Sequence, residues 1–144
     1  MPPALTFTHV FADTHGESHI AQRELPLASR AFAPPAPAMD VSAVQEASGF
    51  EALRFPADWT GGWHRSPYRQ WGFILSGAVA VTTSDGATCQ MRAGSAFLLE
   101  DLHGKGHLTR VLGGTDVIWV AVQIPGDAVP AADGASAPSP RPSQ

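Results

Sequence analysis

Two stretches decide the fold: Gly61-Gly62-Trp63-His64-Arg65-Ser66-Pro67-Tyr68-Arg69-Gln70-Trp71-Gly72-Phe73-Ile74-Leu75-Ser76-Gly77 and Gly94-Ser95-Ala96-Phe97-Leu98-Leu99-Glu100-Asp101-Leu102-His103-Gly104-Lys105-Gly106-His107. Each is a short apolar run punctuated by glycine, with a histidine at one end. The same rhythm extends outward from residue 50. Residues 51–55 read as a strand ended by Pro56, and 71–75 as one ended by Ser76-Gly77. Residues 78–83 and 87–92 pair across Ser84-Asp85-Gly86, a hairpin turn of the Asp-Gly kind. Residues 95–99 are apolar enough to be buried on both faces, and 106–112 and 115–123 form a last pair joined by Gly113-Gly114. Many short strands with evenly spaced turns predict an all-β sandwich or barrel.

Before residue 50 the pattern is looser. Residues 5–11 and 18–25 alternate as strands around a Thr14-His15-Gly16 turn, and Pro34-Pro35-Ala36-Pro37 predicts an extended connector. Helical periodicity is weak; residues 41–47 offer one or two turns and no more. The tail from 125 to 144 is Ala, Pro, Ser and Gly with almost nothing to bury, and is expected to be disordered. The expected organisation is an N-terminal extension over 1–48, a barrel over 49–124 and that tail.

Composition narrows the function classes. The 144 residues are 44% hydrophobic and 15% charged, with thirteen prolines and fourteen glycines, which suits short strands and tight turns. A net charge of −4 without any run of Lys or Arg gives a nucleic-acid backbone no footprint. No apolar run approaches the roughly 20 residues that span a bilayer. The first residues lack a basic and apolar leader pattern, so the cytoplasm is the expected location. Cys89 stands alone and reads as a small half-buried side chain.

With the motifs on the page, the chain resembles the cupin superfamily, the jelly-roll or double-stranded β-helix barrel, over roughly residues 50–123. That family's first motif is a Gly, a His-x-His pair, a Glu and a closing Gly; Gly62, His64, Gln70 and Gly77 fall into its frame. Its second is a Gly opening a buried strand, a turn and a His; Gly94, the Gly104-Lys105-Gly106 turn and His107 fall there. Ser66 stands where the second histidine belongs and Gln70 where the glutamate belongs. The resemblance implies one divalent ion (Zn, Fe, Mn or Ni) on His64, Gln70 and His107, with the carboxylate and one imidazole of the usual set missing.

The residues around the motifs supply further candidates. Strand alternation puts Gln70, Gly72 and Ile74 on one face and Trp71, Phe73 and Leu75 on the other, and either face could be inward. One of Glu100 and Asp101 points inward if the alternation of the preceding strand continues. Trp63, Ser66, Glu100 and Asp101 are therefore candidate ligand-binding residues, and His64, His107 and Tyr68 candidate catalytic ones. His9, His15 and His19 match no metal spacing and read as turn and strand-surface residues.

Two functions are open. The first is an enzyme acting on a small organic molecule in the barrel interior, either through the ion or, as in metal-free sugar-nucleotide epimerases of the superfamily, by His64 or His107 as general base. The second is a non-catalytic small-ligand-binding or sensor protein. A homodimer is expected from the exposed sheet edges of small barrels.

Overall fold

The computed structural model describes residues 2–126; of the tail expected to be disordered over 125–144, residues 127–144 lie outside the described residues. Eleven strands are present among them, and no helix. They are β1 (Ala4–Ala12), β2 (Ser18–Pro26), β3 (Ala28–Arg30), β4 (Met39–Val41), β5 (Gly49–Phe55), β6 (Gln70–Ser76), β7 (Ala78–Thr83), β8 (Thr88–Arg92), β9 (Ala96–Glu100), β10 (His107–Leu112) and β11 (Val117–Gln123). The helical turns allowed for 41–47 do not form: β4 ends at Val41 and the chain runs irregularly to Ser48. Among the described residues no helix is long and apolar enough to cross a membrane.

The strands form a six-stranded sheet in the order β2-β1-β9-β6-β11-β5, a three-stranded sheet β10-β7-β8, and a small β3-β4 ribbon. The β1–β2 hairpin belongs to the large sheet itself, because β1 runs parallel to β9 from Thr8 to Phe11. Long-range pairing of this kind closes the barrel and is invisible to local periodicity.

Alternation within the strands makes two apolar layers. The inward positions of both sheets, among them Val10, Ile74, Val79, Val81, Phe97 and Trp119, form the main core. The outward positions Phe7, Trp71, Ala96 and Leu98 form a second cluster with Ile124 on the back of the large sheet. This settles the facing of β6: Ile74 belongs to the interior cluster and Trp71 to the outer one, so Gln70 and Gly72 face inward.

The interior is filled by aromatic rings. Phe97 packs on Trp119 at 5.0 Å, Trp119 on Phe55 at 4.4 Å, and Phe55 on Trp59 at 4.8 Å. A side chain at Gly72 would collide with the Phe97 ring, so the missing Cβ is what lets that ring lie across the barrel. Each such ring contributes roughly 1.5–3 kcal/mol by leaving water. The ring-filled end of the barrel is thus a packed core, and a buried polar cluster lies at its other end.

Candidate functional site

At that other end the chain brings His64 and His107 face to face. They form an antiparallel bridge outside the regular strands, with His64 N donating to His107 O at 3.0 Å and His107 N to His64 O at 2.8 Å. Directly opposed residues put their side chains on one face, and the ring centroids lie 4.6 Å apart. Gly106 makes the approach feasible. Its φ is +75°, and a Cβ there would sit 2.2 Å from the His64 carbonyl oxygen.

Each ring is fixed through Nδ1. His64 Nδ1 lies 2.7 Å from the Gly62 carbonyl oxygen, which can only accept, so Nδ1 carries the hydrogen. His107 Nδ1 lies 2.5 Å from Asp101 Oδ2, and the ionised carboxylate likewise accepts. In the neutral imidazoles this leaves Nε2 of both rings with a free lone pair. His107 and Asp101 are 3% and 0% exposed, whereas His64 is exposed. Asp101 Oδ1 is buried and has no hydrogen-bond partner among the described residues.

Asp101 answers the question left open at the end of β9. Phe97 and Leu99 point inward, so Asp101 does too, while Glu100 turns to the back of the sheet. Glu100, expected among the ligand-binding residues, is thereby not brought to the histidine pair but to His9 and Arg69. Ser66 does join the site: its N donates to Asp101 O at 3.2 Å, and its Oγ donates to Tyr68 O at 2.7 Å. Gln70, inward and 8% exposed, donates from Nε2 to Ser66 Oγ at 3.0 Å. Tyr68 meets this cluster through its main-chain carbonyl, and its side chain is 49% exposed.

An open cleft of about 810 Å³ lies at the barrel mouth, walled by Trp63, His64, Arg65 and Ser66 on one side and by Leu102 and Lys105 on the other. His64 thus stands between the open cleft and the buried His107–Asp101 pair.

The donor set does not fit the divalent ion that the resemblance implied. Among the described residues no group of three His, Cys, Asp or Glu side chains is arranged to hold a metal ion. Gln70 adds a neutral amide already hydrogen-bonded to Ser66, and Asp101 stands behind His107 rather than beside it. Two imidazoles fall short of the three protein ligands usual at a catalytic zinc.

The back of the sheet carries polar groups that sequence reading missed. His9, expected at a strand surface, is 0% exposed. Its Nε2 lies 2.6 Å from Glu100 Oε1, Arg23 Nε donates to its Nδ1 at 3.2 Å, and Arg69 Nε donates to Glu100 Oε2 at 2.6 Å. Burial pushes the Glu100 carboxyl up, but its hydrogen bonds and charge interactions with His9 and Arg69 outweigh that and hold it below the usual glutamate range. The signal was available: alternation from the apolar Phe7 and Phe11 puts His9 on the same face. His19 lies nearer the surface, its rings nitrogens 2.7 Å from Asp13 Oδ2 and 3.0 Å from Asp85 Oδ2.

Comparison with known proteins gives one family match and several similar solved structures. The cupin domain family matches residues 53–123. The fold is similar to protein NMB1881 from Neisseria meningitidis, at 21% identity and a TM-score of 0.41, covering 53% of this chain and 72% of that one. It is similar to a cupin domain from Bordetella pertussis Tohama I, at 20% identity and a TM-score of 0.41, covering 54% and 80%. The cupin domain of Schizosaccharomyces pombe Cnp3 aligns over 85% of this chain and 86% of its own, at 14% identity and a TM-score of 0.40. No curated protein matches the chain. With an all-β barrel, both glycine-histidine motifs in place and the family match spanning β6 to β11, the chain belongs to the cupin superfamily.

Proposed function

We propose that this cupin protein is an enzyme that moves a proton on a small organic molecule held at the barrel mouth, with the His64–His107 pair as its acid–base centre. The observation that carries the reading is the line of groups from solvent to core: exposed His64, buried His107, and Asp101 behind it. His64 lines the cleft and is the imidazole that meets the ligand. A proton accepted at Nε2 is balanced by the Asp101 carboxylate across the second ring, as a buried acid orients and supports a catalytic histidine. Ser66 and Gln70 hold the Asp101 main chain and the floor of the site in place.

Imidazole nitrogen NMR tests this directly. In the neutral form of each ring the hydrogen is expected on Nδ1, with a bare Nε2. Asp101→Asn keeps an acceptor for His107 but removes the charge, and should alter the His107 resonances while leaving those of His64 in place. A hydrogen found on His107 Nε2 in the wild type would overturn the reading. The metal-bound alternative has its own measurement: one equivalent of metal that survives dialysis and disappears in His64→Ala would replace acid–base chemistry with a metal centre. A protein without turnover, in which His107→Gln merely weakens ligand binding, would favour the non-catalytic binding protein.

A further inference from the structure

We infer that the ligand of this cleft is a small organic carboxylate, its charged end on the Arg65 guanidinium and its apolar body against Trp63. The inference rests on the proton-transfer reading for the importance of the cleft, but its own argument is electrostatic. The cleft wall carries two cations, Arg65 and Lys105, and no carboxylate, on a chain whose net charge is −4. A local positive site on a negative molecule concentrates anions at that point.

The two cations are not equivalent. Lys105 Nζ is 2.6 Å from Glu17 Oε2, so its charge is already matched. Arg65 is exposed, and among the described residues no side-chain hydrogen bond or ion pair engages its guanidinium. Among the described residues that leaves Arg65 as the uncommitted positive charge in the wall, presented as a planar fork that matches a carboxylate with two parallel hydrogen bonds. A single charge suits a monoanion; a phosphate ester, with nearly two charges, would call on Lys105 against the competition of Glu17.

Trp63 supplies the other half of the specificity. It is a large apolar side chain left 52% exposed, next in sequence to His64 and two residues from Arg65. The accessible lining of the cleft is mainly polar, so its fit is first to the anionic end of a ligand, and the exposed Trp63 indole offers one flat apolar face beside the guanidinium. A volume of about 810 Å³ accommodates such a molecule with room for water.

The probe is benzoate, followed on the indole N–H resonance of Trp63, assigned with Trp63→Phe among the four tryptophans. Benzoate should shift that signal saturably while Trp59, Trp71 and Trp119 stay put. Benzyl alcohol, the neutral analogue, should bind about tenfold more weakly or worse, and Arg65→Gln should cost about the same factor. Arg65→Lys, which keeps the charge without the fork, should fall between. Benzoate binding is read without turnover or tautomer, which separates ligand class from proton transfer: the tautomer experiment can fail while this one succeeds. No saturable response to millimolar benzoate, equal binding of benzyl alcohol, or an unchanged Arg65→Gln variant would overturn the inference. So would tighter binding of phenyl phosphate.

Discussion

At Gly72 a Cβ would lie 2.0 Å from the nearest atom of the Phe97 ring, and that ring is 1% exposed with no room to retreat. Gly72→Ala should therefore destabilise the fold by about 1–3 kcal/mol, the usual cost of overpacking a filled core. Shrinking the obstacle should recover part of this, so Gly72→Ala combined with Phe97→Leu should be less unstable than the two single changes added together. Urea unfolding of the four proteins in this cycle measures the coupling; strict additivity would mean that the ring and the missing Cβ do not share space. The same economy of side-chain volume operates at Gly106, where the absent Cβ admits the carbonyl of His64. The sequence marked Gly106 through its turn, but Gly72 falls mid-strand between Trp71 and Phe73 and carries no such signal.

Between elements, the turn joining β1 to β2 is clasped to the rest of the barrel near the histidine pair. Ser18 Oγ donates to Gly106 O at 2.6 Å, Lys105 N donates to Gly16 O at 2.9 Å, and His19 bridges Asp13 to Asp85 of the β7–β8 turn. Burial disfavours the charged form of His19, but its hydrogen bonds to Asp13 and Asp85 prevail and raise its pKa above 6.5. Burial likewise opposes ionisation of Asp85, yet hydrogen bonds from Thr83, Ala87 and His19 lower its pKa below 3.8. A raised histidine stabilises fully below 6.5 and loses that contribution as pH rises through its folded value; a lowered aspartate stabilises above 3.8 and loses it as pH falls. The difference in Tm between wild type and His19→Gln should accordingly be largest near pH 5–6 and shrink by about pH 8, and added salt should reduce it because the pair is half-exposed. A difference that stays constant over that range would rule out titration of His19 as its source. The sequence placed each of these strands within one or two residues, since turn chemistry and period-two alternation are local. It could not place His19 beside Asp85, or His9 beside Glu100, because those contacts are made by sheet order rather than by neighbours in the chain.

At the scale of the whole molecule, the two motifs carried the barrel and the histidine pair, while Asp101 could be named from β9 only as one of two choices. What local pattern could not supply is how the back of the large sheet is covered. One row across it runs Phe50, Val122, Trp71, Leu98 and His9, and the strands pair in that register. Toward β1 the row is closed off, with Trp71 and Leu98 buried and Trp71 Nε1 donating to Gln45 at 2.7 Å. Toward β5 it stays open, with Phe50 77% exposed at the sheet edge, and outside the row Leu75, at the irregularity in the β6–β11 pairing, is 61% exposed. Large apolar side chains beside an unpaired sheet edge are costly to leave in water. A homodimer that covers the β5–β6 side of this face is the expected remedy, and sedimentation equilibrium should return twice the mass of one chain. Phe50→Asp with Leu75→Asp should restore the single-chain mass without unfolding the barrel, since neither side chain belongs to the core clusters. Because Arg65 and the histidine pair lie at the barrel mouth, the separated chain should still bind benzoate; if dissociation abolished that binding, the cleft would depend on the second copy and its ligand could no longer be argued from one chain.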